Sequence, residues 1–121
     1  MLAIESPYDE LFADITAAVY FNDPEVIAVA IGILSNQPPV ACRSFTAKPD
    51  PTFNTLEAHC ELSSARAELW KHWIRPRLSD KKFLLRSLAK LLVGEINWRI
   101  QTQADSTAAV AHLIQTASSD Q

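Results

Sequence analysis

Glycine is nearly absent from this chain of 121 residues, which contains only Gly32 and Gly94. Phosphate-binding loops need closely spaced glycines, because their backbone amides must approach the anion without a side chain in the way. Both glycines fall within stretches of helical patterning rather than in a loop. The sequence therefore excludes the usual P-loop and dinucleotide-binding motifs, and we expect no cofactor.

Cysteine is equally scarce, with Cys42 and Cys60 alone. Two cysteines do not make the disulfide framework of a small secreted protein, and neither the Cys-x-x-Cys nor the His-x-x-x-His spacing of a metal site occurs. The amino terminus is acidic and lacks the positively charged region of a signal peptide. We therefore expect reduced thiols, no metal site and a cytoplasmic location.

Lysine and arginine are absent from residues 1–42, a stretch that holds six acidic residues. Residues 66–99, by contrast, contain nine basic residues against three acidic ones. Such segregation has two explanations. Either the two regions neutralise each other, within one molecule or across a homodimer, or the basic region faces an anionic partner. We expect folding to present a cationic surface to another macromolecule.

Five segments carry the signals of α-helices. The expected amino-terminal caps are Ser6, Asp23, Asn54 or Thr55, Ser79, and Asp105 or Ser106. Apolar residues recur at helical spacing in four of the segments. The segment Val26–Leu34 is instead apolar on every side, so a buried helix is expected there, with a buried strand as the alternative. It is too short to span a bilayer, which takes about 18 or more apolar residues.

These segments predict a single all-α domain over residues 1–121, a small bundle or orthogonal assembly of four or five helices. Its centre is expected to be the Val26–Leu34 helix and the helix of residues 83–100. The predicted core face of the latter comprises Phe83, Leu84, Leu88, Leu91, Leu92, Ile96 and Ile100. Residues 37–54, which contain four of the seven prolines, predict a long irregular loop that is functional or wraps the core. Residues 116–121 predict a frayed polar tail.

A catalytic centre, if present, is expected at His59 and Cys60, with Glu57 close in sequence. A nucleophilic cysteine needs a base within reach, but adjacent residues on a helix point about 100° apart. Without catalysis, Cys60 packs as a small apolar residue and His59 faces solvent or a carboxylate. Glu57 and Glu61 share one helical face and are expected to form a solvated acidic surface. A small enzyme is therefore the third functional hypothesis.

Residues 70–82 interleave tryptophans with basic residues at the junction of the third and fourth predicted helices. Trp70 continues the apolar stripe of the third helix, which leaves Trp73 as the expected surface aromatic. Arginine and tryptophan are enriched at hot spots of protein interfaces, and bases interleaved with aromatics also suit single-stranded nucleic acid. The candidate partner-binding residues are His72, Trp73, Arg75, Arg77, Lys81 and Lys82.

We expect a non-enzymatic interaction protein, a regulator, adaptor or assembly factor, that binds an acidic protein partner through this basic–aromatic surface. The formal net charge of −3 disfavours the alternative, a nucleic-acid-binding regulator that uses the same residues. High apolar content together with oppositely charged regions also favours a homodimer. On this hypothesis, Trp73→Ala combined with Arg75→Ala abolishes partner binding and leaves the helical content intact.

Overall fold

The computed structural model describes residues 5–46 and 60–119, and all regular structure within these residues is helical. The helices are α1 (Glu5–Phe21), α2 (Val26–Leu34), α3 (residues 63–77), α4 (Lys81–Thr102) and α5 (Ser106–Ser119). The predicted all-α fold of four or five helices is confirmed. Residues 47–54 of the predicted loop, and the predicted caps Asn54 and Thr55, lie outside the described residues.

The centre of the fold is formed by α1 and α5, which both pack on α4, and by the contact of α5 with α3. The apolar stripes of these helices are fully buried, with Leu11 and Ile15 in α1, Leu84 and Leu88 in α4, and Leu113 in α5. Burying one side chain of this size contributes about 1.5–3 kcal/mol. This packing holds the end of α3, the start of α4 and the end of α5 next to one another.

The core face predicted for α4 is wrong at both ends. The buried stripe consists of Leu84, Leu88, Leu92, Glu95 and Arg99. Phe83 and Ile100 each lie one residue from this stripe, about 100° around the helix, and they are 54% and 42% exposed. The stripe ends in Glu95 and Arg99, whose side chains contact His112 and Glu61, so hydrophobicity does not reveal where it continues.

The helix starts follow the predicted capping residues only in part. Asp23, the predicted cap of α2, does not cap it, since the N-cap residue is Glu25. Asp80, one residue after the predicted Ser79, caps α4, because its Oδ1 accepts a hydrogen bond of 3.1 Å from the backbone N–H of Phe83. Asp105 caps α5 in the same way at 2.9 Å, as predicted. Ser6, the predicted cap of α1, lies inside that helix instead.

The predicted frayed tail is wrong for residues 116–119, which form the last turn of α5. Thr116 Oγ1 donates to the carbonyl of His112 at 2.9 Å, and Ser118 Oγ donates to the carbonyl of Ile114 at 2.8 Å. Ala117 is buried in the core cluster. Because the hydroxyls bond within the helix and Ala117 anchors it, the polar composition does not end the helix early.

The helix predicted for α2 is confirmed, but its predicted burial is wrong. Only two of its residues are buried, Gly32 among them, whereas Ile33 and Leu34 are 72% and 86% exposed. One face of α2 lies so close to the following segment that a Cβ on Gly32 would come within 2.6 Å of the Pro38 carbonyl oxygen. The outer face remains exposed.

No single helix of the described residues is long and apolar enough to cross a membrane, and α1 with α2 passes that criterion only as a pair bent by 104°.

A sharp turn joins α1 to α2 and forms a corner with exposed aromatic side chains. Asn22 adopts a left-handed φ of 52°, and Asp23 Oδ1 accepts a hydrogen bond of 2.9 Å from the N–H of Glu25. Tyr20 and Phe21 are 74% and 62% exposed, and their rings meet edge to face with centroids 4.9 Å apart. Residues Tyr20, Phe21, Asn22 and Asp23 are termed the aromatic corner below.

The third helix is irregular. Residues 60–62, which were predicted to be helical, form a turn, and α3 begins at Ser63. The segments of α3 are a 3-10 turn (Ser63–Ala65), an α-helical turn (Arg66–Glu68), a π-helix (Leu69–Ile74) and a second 3-10 turn (Arg75–Arg77). Pro76 therefore lies within the last turn instead of ending the helix before it.

The π-helix carries two buried stripes rather than one. Leu69 and Trp73 form one pair at i, i+4 spacing, and Trp70 and Ile74 form the other, and all four are buried. The prediction of Trp70 as a core residue is confirmed. The prediction of Trp73 as a surface aromatic is wrong, since only 1% of it is exposed. The apolar residue Leu69, four positions before Trp73, is the sequence signal that Trp73 is buried.

A disulfide joins Cys42 and Cys60, whose Cα atoms are 5.2 Å apart, so the prediction of reduced thiols is wrong. The bond ties the 3-10 turn Ala41–Arg43 to the turn before α3. Two cysteines can pair only where the fold brings their Cα atoms within about 7 Å, and spacing in the sequence does not show this. The expected cytoplasmic location loses part of its basis, because disulfides persist mainly in oxidising compartments.

Reduction of the disulfide is expected to lower the free energy of unfolding by about 3 kcal/mol, as the loss of a loop constraint of this length predicts. Urea denaturation followed by circular dichroism, with and without dithiothreitol, measures the change. The variant with Cys42→Ala and Cys60→Ala is the control, since its midpoint should match that of the reduced protein in both buffers. Detection of free thiols in the unfolded, unreduced protein would contradict the disulfide.

Residues 37–46, the described part of the predicted loop, are irregular apart from the turn Ala41–Arg43. Phe45 is 1% exposed and belongs to the core cluster, and its N–H donates to the carbonyl of Pro24 at 3.1 Å. Arg43 is buried as well. This part of the segment therefore lies over the core.

Candidate partner-binding groove

A half-open groove of about 720 Å³ lies where the end of α3, the start of α4 and the end of α5 meet. Its apolar floor consists of Leu69, Trp73, Phe83, Ile114 and Ala117, and its polar rim includes Glu68, His72, Arg77 and Ser118. Three of the six predicted partner-binding residues, His72, Trp73 and Arg77, thus line one cavity. Its volume is within the range of about 300–1,000 Å³ that is usual for ligand pockets. We term it the α3–α5 groove.

Trp73 and Arg77 form a unit in this groove. The Arg77 guanidinium carbon lies 4.4 Å from the centroid of the Trp73 ring, and Nη1 donates to the Trp73 carbonyl oxygen at 2.8 Å. Trp73 is a structural part of the floor, and Arg77 covers it. The double substitution Trp73→Ala with Arg75→Ala therefore removes a core side chain and does not test the surface by itself.

His72 lies on the rim of the groove with 58% of its side chain exposed. Its Nε2 is 3.3 Å from Oε2 of Glu68, four residues earlier, and the Glu68 side chain is also well exposed. An exposed pair of this kind contributes only about 0–1 kcal/mol. Contact with a bound segment can therefore replace it at little cost.

Exposed basic residues stand next in sequence to groove residues at the junction of α3 and α4, since Arg75 precedes Pro76 and Lys82 precedes Phe83. Arg75, Lys81 and Lys82, three of the predicted residues, are exposed, as is Lys71. Lys81 and Lys82 lie in the first turn of α4, which contains no acidic residue. A cation at the start of a helix is unfavourable, because the helix dipole is positive there. Helix stability therefore does not explain these lysines.

The acidic amino-terminal region pairs with part of the basic region. Asp14, which is 2% exposed, lies 2.9 Å from Nη2 of Arg66 and 2.6 Å from Nε of Arg43. Arg99 Nη2 is 2.8 Å from Oε1 of Glu61, which lies between the two regions in sequence. These arginines belong to the interior. The exposed cations that remain from the charge pattern are Lys71, Arg75, Lys81, Lys82, Arg86 and Lys90.

A second polar cluster, between α4 and α5, has no signal in the sequence. His112 Nδ1 lies 2.8 and 3.0 Å from the two carboxylate oxygens of the buried Glu95, so its N–H donates to them. The Trp98 ring stacks on the imidazole with centroids 3.7 Å apart and planes 9° apart. The cluster joins the two helices.

Among residues 5–46 and 60–119, no group of three or more His, Cys, Asp or Glu side chains could bind a metal ion.

The hypothesis of a cysteine nucleophile at Cys60 is wrong for the disulfide-bonded protein. The nucleophile in such enzymes is the thiolate, and the sulfur of Cys60 is bonded to Cys42. His59 and Glu57, the other members of the predicted set, lie outside the described residues.

Comparisons with protein-family models, with curated proteins and with solved structures find no match. Function is therefore inferred from the chemistry of the α3–α5 groove. Three features bear on it: an apolar floor, a polar rim that contains His72 and Arg77, and exposed cations beside it.

Proposed function

We propose that this protein is a non-enzymatic interaction protein, a regulator, adaptor or assembly factor, whose α3–α5 groove binds an acidic segment of a protein partner. The observation that supports this most is the groove itself, in which Arg77 lies on the rim of an apolar floor and exposed cations stand next in sequence to lining residues. An apolar side chain of the partner would pack on Phe83 and Ile114. Its carboxylates would face Arg75 and Lys82. Such an apolar centre with a polar rim is the usual anatomy of a protein interface.

The π-helix in α3 supports the same function. Leu69, His72 and Trp73 of the groove all belong to this π-helix. π-helices are rare, and they occur frequently at functional sites. Its position beside the α3–α5 groove therefore favours a binding role for this end of the molecule.

Nucleic acid is the alternative partner, and one feature disfavours it. Binding of single strands relies on exposed aromatic rings on which bases stack, whereas Trp70 and Trp73 are 7% and 1% exposed. A protein segment with an apolar anchor does not need such rings. The acidic Glu68 on the rim does not separate the two partners, since it repels carboxylates and phosphates alike.

Removal of two groove cations, by Arg75→Ala with Lys82→Ala, is expected to weaken binding of an acidic, apolar peptide about tenfold, which corresponds to about 1.4 kcal/mol. The probe is a fluorescein-labelled synthetic peptide of alternating glutamate and leucine, measured by fluorescence anisotropy at low ionic strength. The matched control is Arg86→Ala with Lys90→Ala, which removes the same charge from exposed positions farther along α4. The control should leave the affinity nearly unchanged.

Equal losses in the two double variants would contradict a specific groove, because net charge would then account for both. A labelled single-stranded oligonucleotide serves as the competing probe. If it binds more tightly than the peptide, with a steep decrease as salt increases, the nucleic-acid alternative replaces the proposal.

A further inference from the structure

The aromatic corner presents two large rings to solvent. Tyr20 and Phe21 are 74% and 62% exposed, and they pack edge to face on each other. Aromatic side chains dominate the energetics of interfaces, because each buries about 150–250 Å². Their exposure also means that the corner does not occupy the groove of its own molecule.

The corner itself carries a negative charge. Asp23 follows the two aromatic residues and is exposed, and residues 1–42 contain no lysine or arginine. The corner therefore combines exposed apolar surface with negative charge. The α3–α5 groove calls for this combination in its partner, since it has an apolar floor and adjoining cations.

We propose that the aromatic corner of one molecule enters the α3–α5 groove of a second copy of this chain. The inference rests on the proposed function, because it assigns the occupant of the same groove. In this contact an aromatic ring of the corner packs on Phe83, and Asp23 faces Lys81 and Lys82. Opposite charges meet at its edge, which gives specificity and a fixed orientation.

The proposed contact joins different surfaces of the two molecules. Each copy then carries one free corner and one free groove after the first contact forms. Such head-to-tail association continues into a closed ring or an open chain, depending on the rotation between neighbours. Self-association should therefore extend beyond a dimer as the concentration rises.

The outer face of α2 offers a different, symmetric contact, in which Ile33 and Leu34 of two copies meet. Charge does not favour that arrangement, because α2 contains no charged residue and leaves the groove cations unused. A membrane is also disfavoured as the partner of the corner. Anionic bilayers attract lysine and arginine, and residues 1–42 have neither.

Sedimentation velocity on the full chain, over a range of concentrations, tests the inference with two variants. The corner variant carries Tyr20→Ser and Phe21→Ser, and the groove variant carries Phe83→Glu and Lys82→Glu. All four positions are exposed, and circular dichroism should confirm an unchanged helical content. We expect wild type to form species larger than a dimer and each variant alone to remain a monomer.

An equimolar mixture of the two variants should form a dimer and nothing larger, because only one intact corner and one intact groove remain to pair. A mixture that stays monomeric, or variants that still assemble alone, would overturn the inference. Loss of assembly in Ile33→Ser with Leu34→Ser, but not in the corner variant, would establish the symmetric α2 contact in its place.

Two further measurements test the role of Asp23 and separate the inference from the proposed function. Asp23→Asn removes the charge and retains the oxygen that accepts from Glu25, so it should weaken assembly about tenfold without loosening the turn. If wild type stays monomeric while the glutamate–leucine peptide still binds the groove, the inference about a second copy fails and the proposed function stands. Failure of the peptide to bind would instead count against the proposed function itself.

Discussion

Asp14→Ala is expected to lower the free energy of unfolding by about 3–5 kcal/mol, the usual cost of breaking a buried ion pair. Asp14 contacts both Arg43 and Arg66, and the three residues are at least nine-tenths buried. The substitution leaves two cations inside the protein without their shared carboxylate. Urea denaturation followed by circular dichroism measures the loss as a lower midpoint. A domain of this size is stable by only about 5–15 kcal/mol, so the variant should unfold at much lower urea.

Replacing all three charged residues, as Asp14→Leu, Arg43→Met and Arg66→Met, should restore most of that stability. Burial lowers the pKa of Arg66 to about 10, although Asp14 acts in the opposite direction. Desolvation therefore outweighs pairing, and apolar replacements of similar volume are often neutral or stabilising. If the triple variant is as unstable as Asp14→Ala, the cause is the altered packing and not an unpaired charge.

Trp73→Ala is expected to cost about 3–5 kcal/mol, as for other large aromatic residues removed from a core. Trp73 is 1% exposed and packs at the junction of α3, α4 and α5. Its removal leaves a cavity under the α3–α5 groove and takes away the ring beneath Arg77. Thermal and urea denaturation, both followed by circular dichroism, measure the change.

Trp98→Ala is the matched control for Trp73, since it removes the same side chain from a half-buried position on α4. Its stacking on His112 is worth about 0.5–1.5 kcal/mol, so the loss should be clearly smaller. A loss at Trp73 no larger than that at Trp98 would contradict the structural role of Trp73. In that case the sequence-based interpretation of Trp73 as a surface residue would regain support.

Local sequence signals predicted where the helices lie better than they predicted which residues of the helices are buried. The spacing of Leu11 and Ile15 and the caps at Asp80 and Asp105 depend on neighbours within a few residues, so helix positions follow from them. Burial of α2 depends on which elements cover it. Its composition predicted burial on all sides, but only the face of Gly32 is covered.

The candidate site was predicted in its location and only partly in its composition. Part of the groove lies at the junction of α3 and α4, where His72, Trp73 and Arg77 of the predicted set line it. Arg75 and Lys82 are exposed and do not line it. Trp73 was predicted to be exposed because a single buried stripe was assumed for the third helix, whereas the π-helix carries two buried stripes. The contribution of α5 through Ile114 could not be predicted, because it depends on how the helices pack and not on local spacing.

The register of α3 sets where the groove cations lie. Each residue of a helix advances the chain by about 100° around the axis. Deleting one residue from the π-helix Leu69–Ile74 would return that turn to α-helical hydrogen bonding and rotate the following residues by about that angle. Arg77 would then move away from the groove residues Phe83 and Ile114. A single deletion in α3 would therefore remove the proposed binding while leaving the other helices in place.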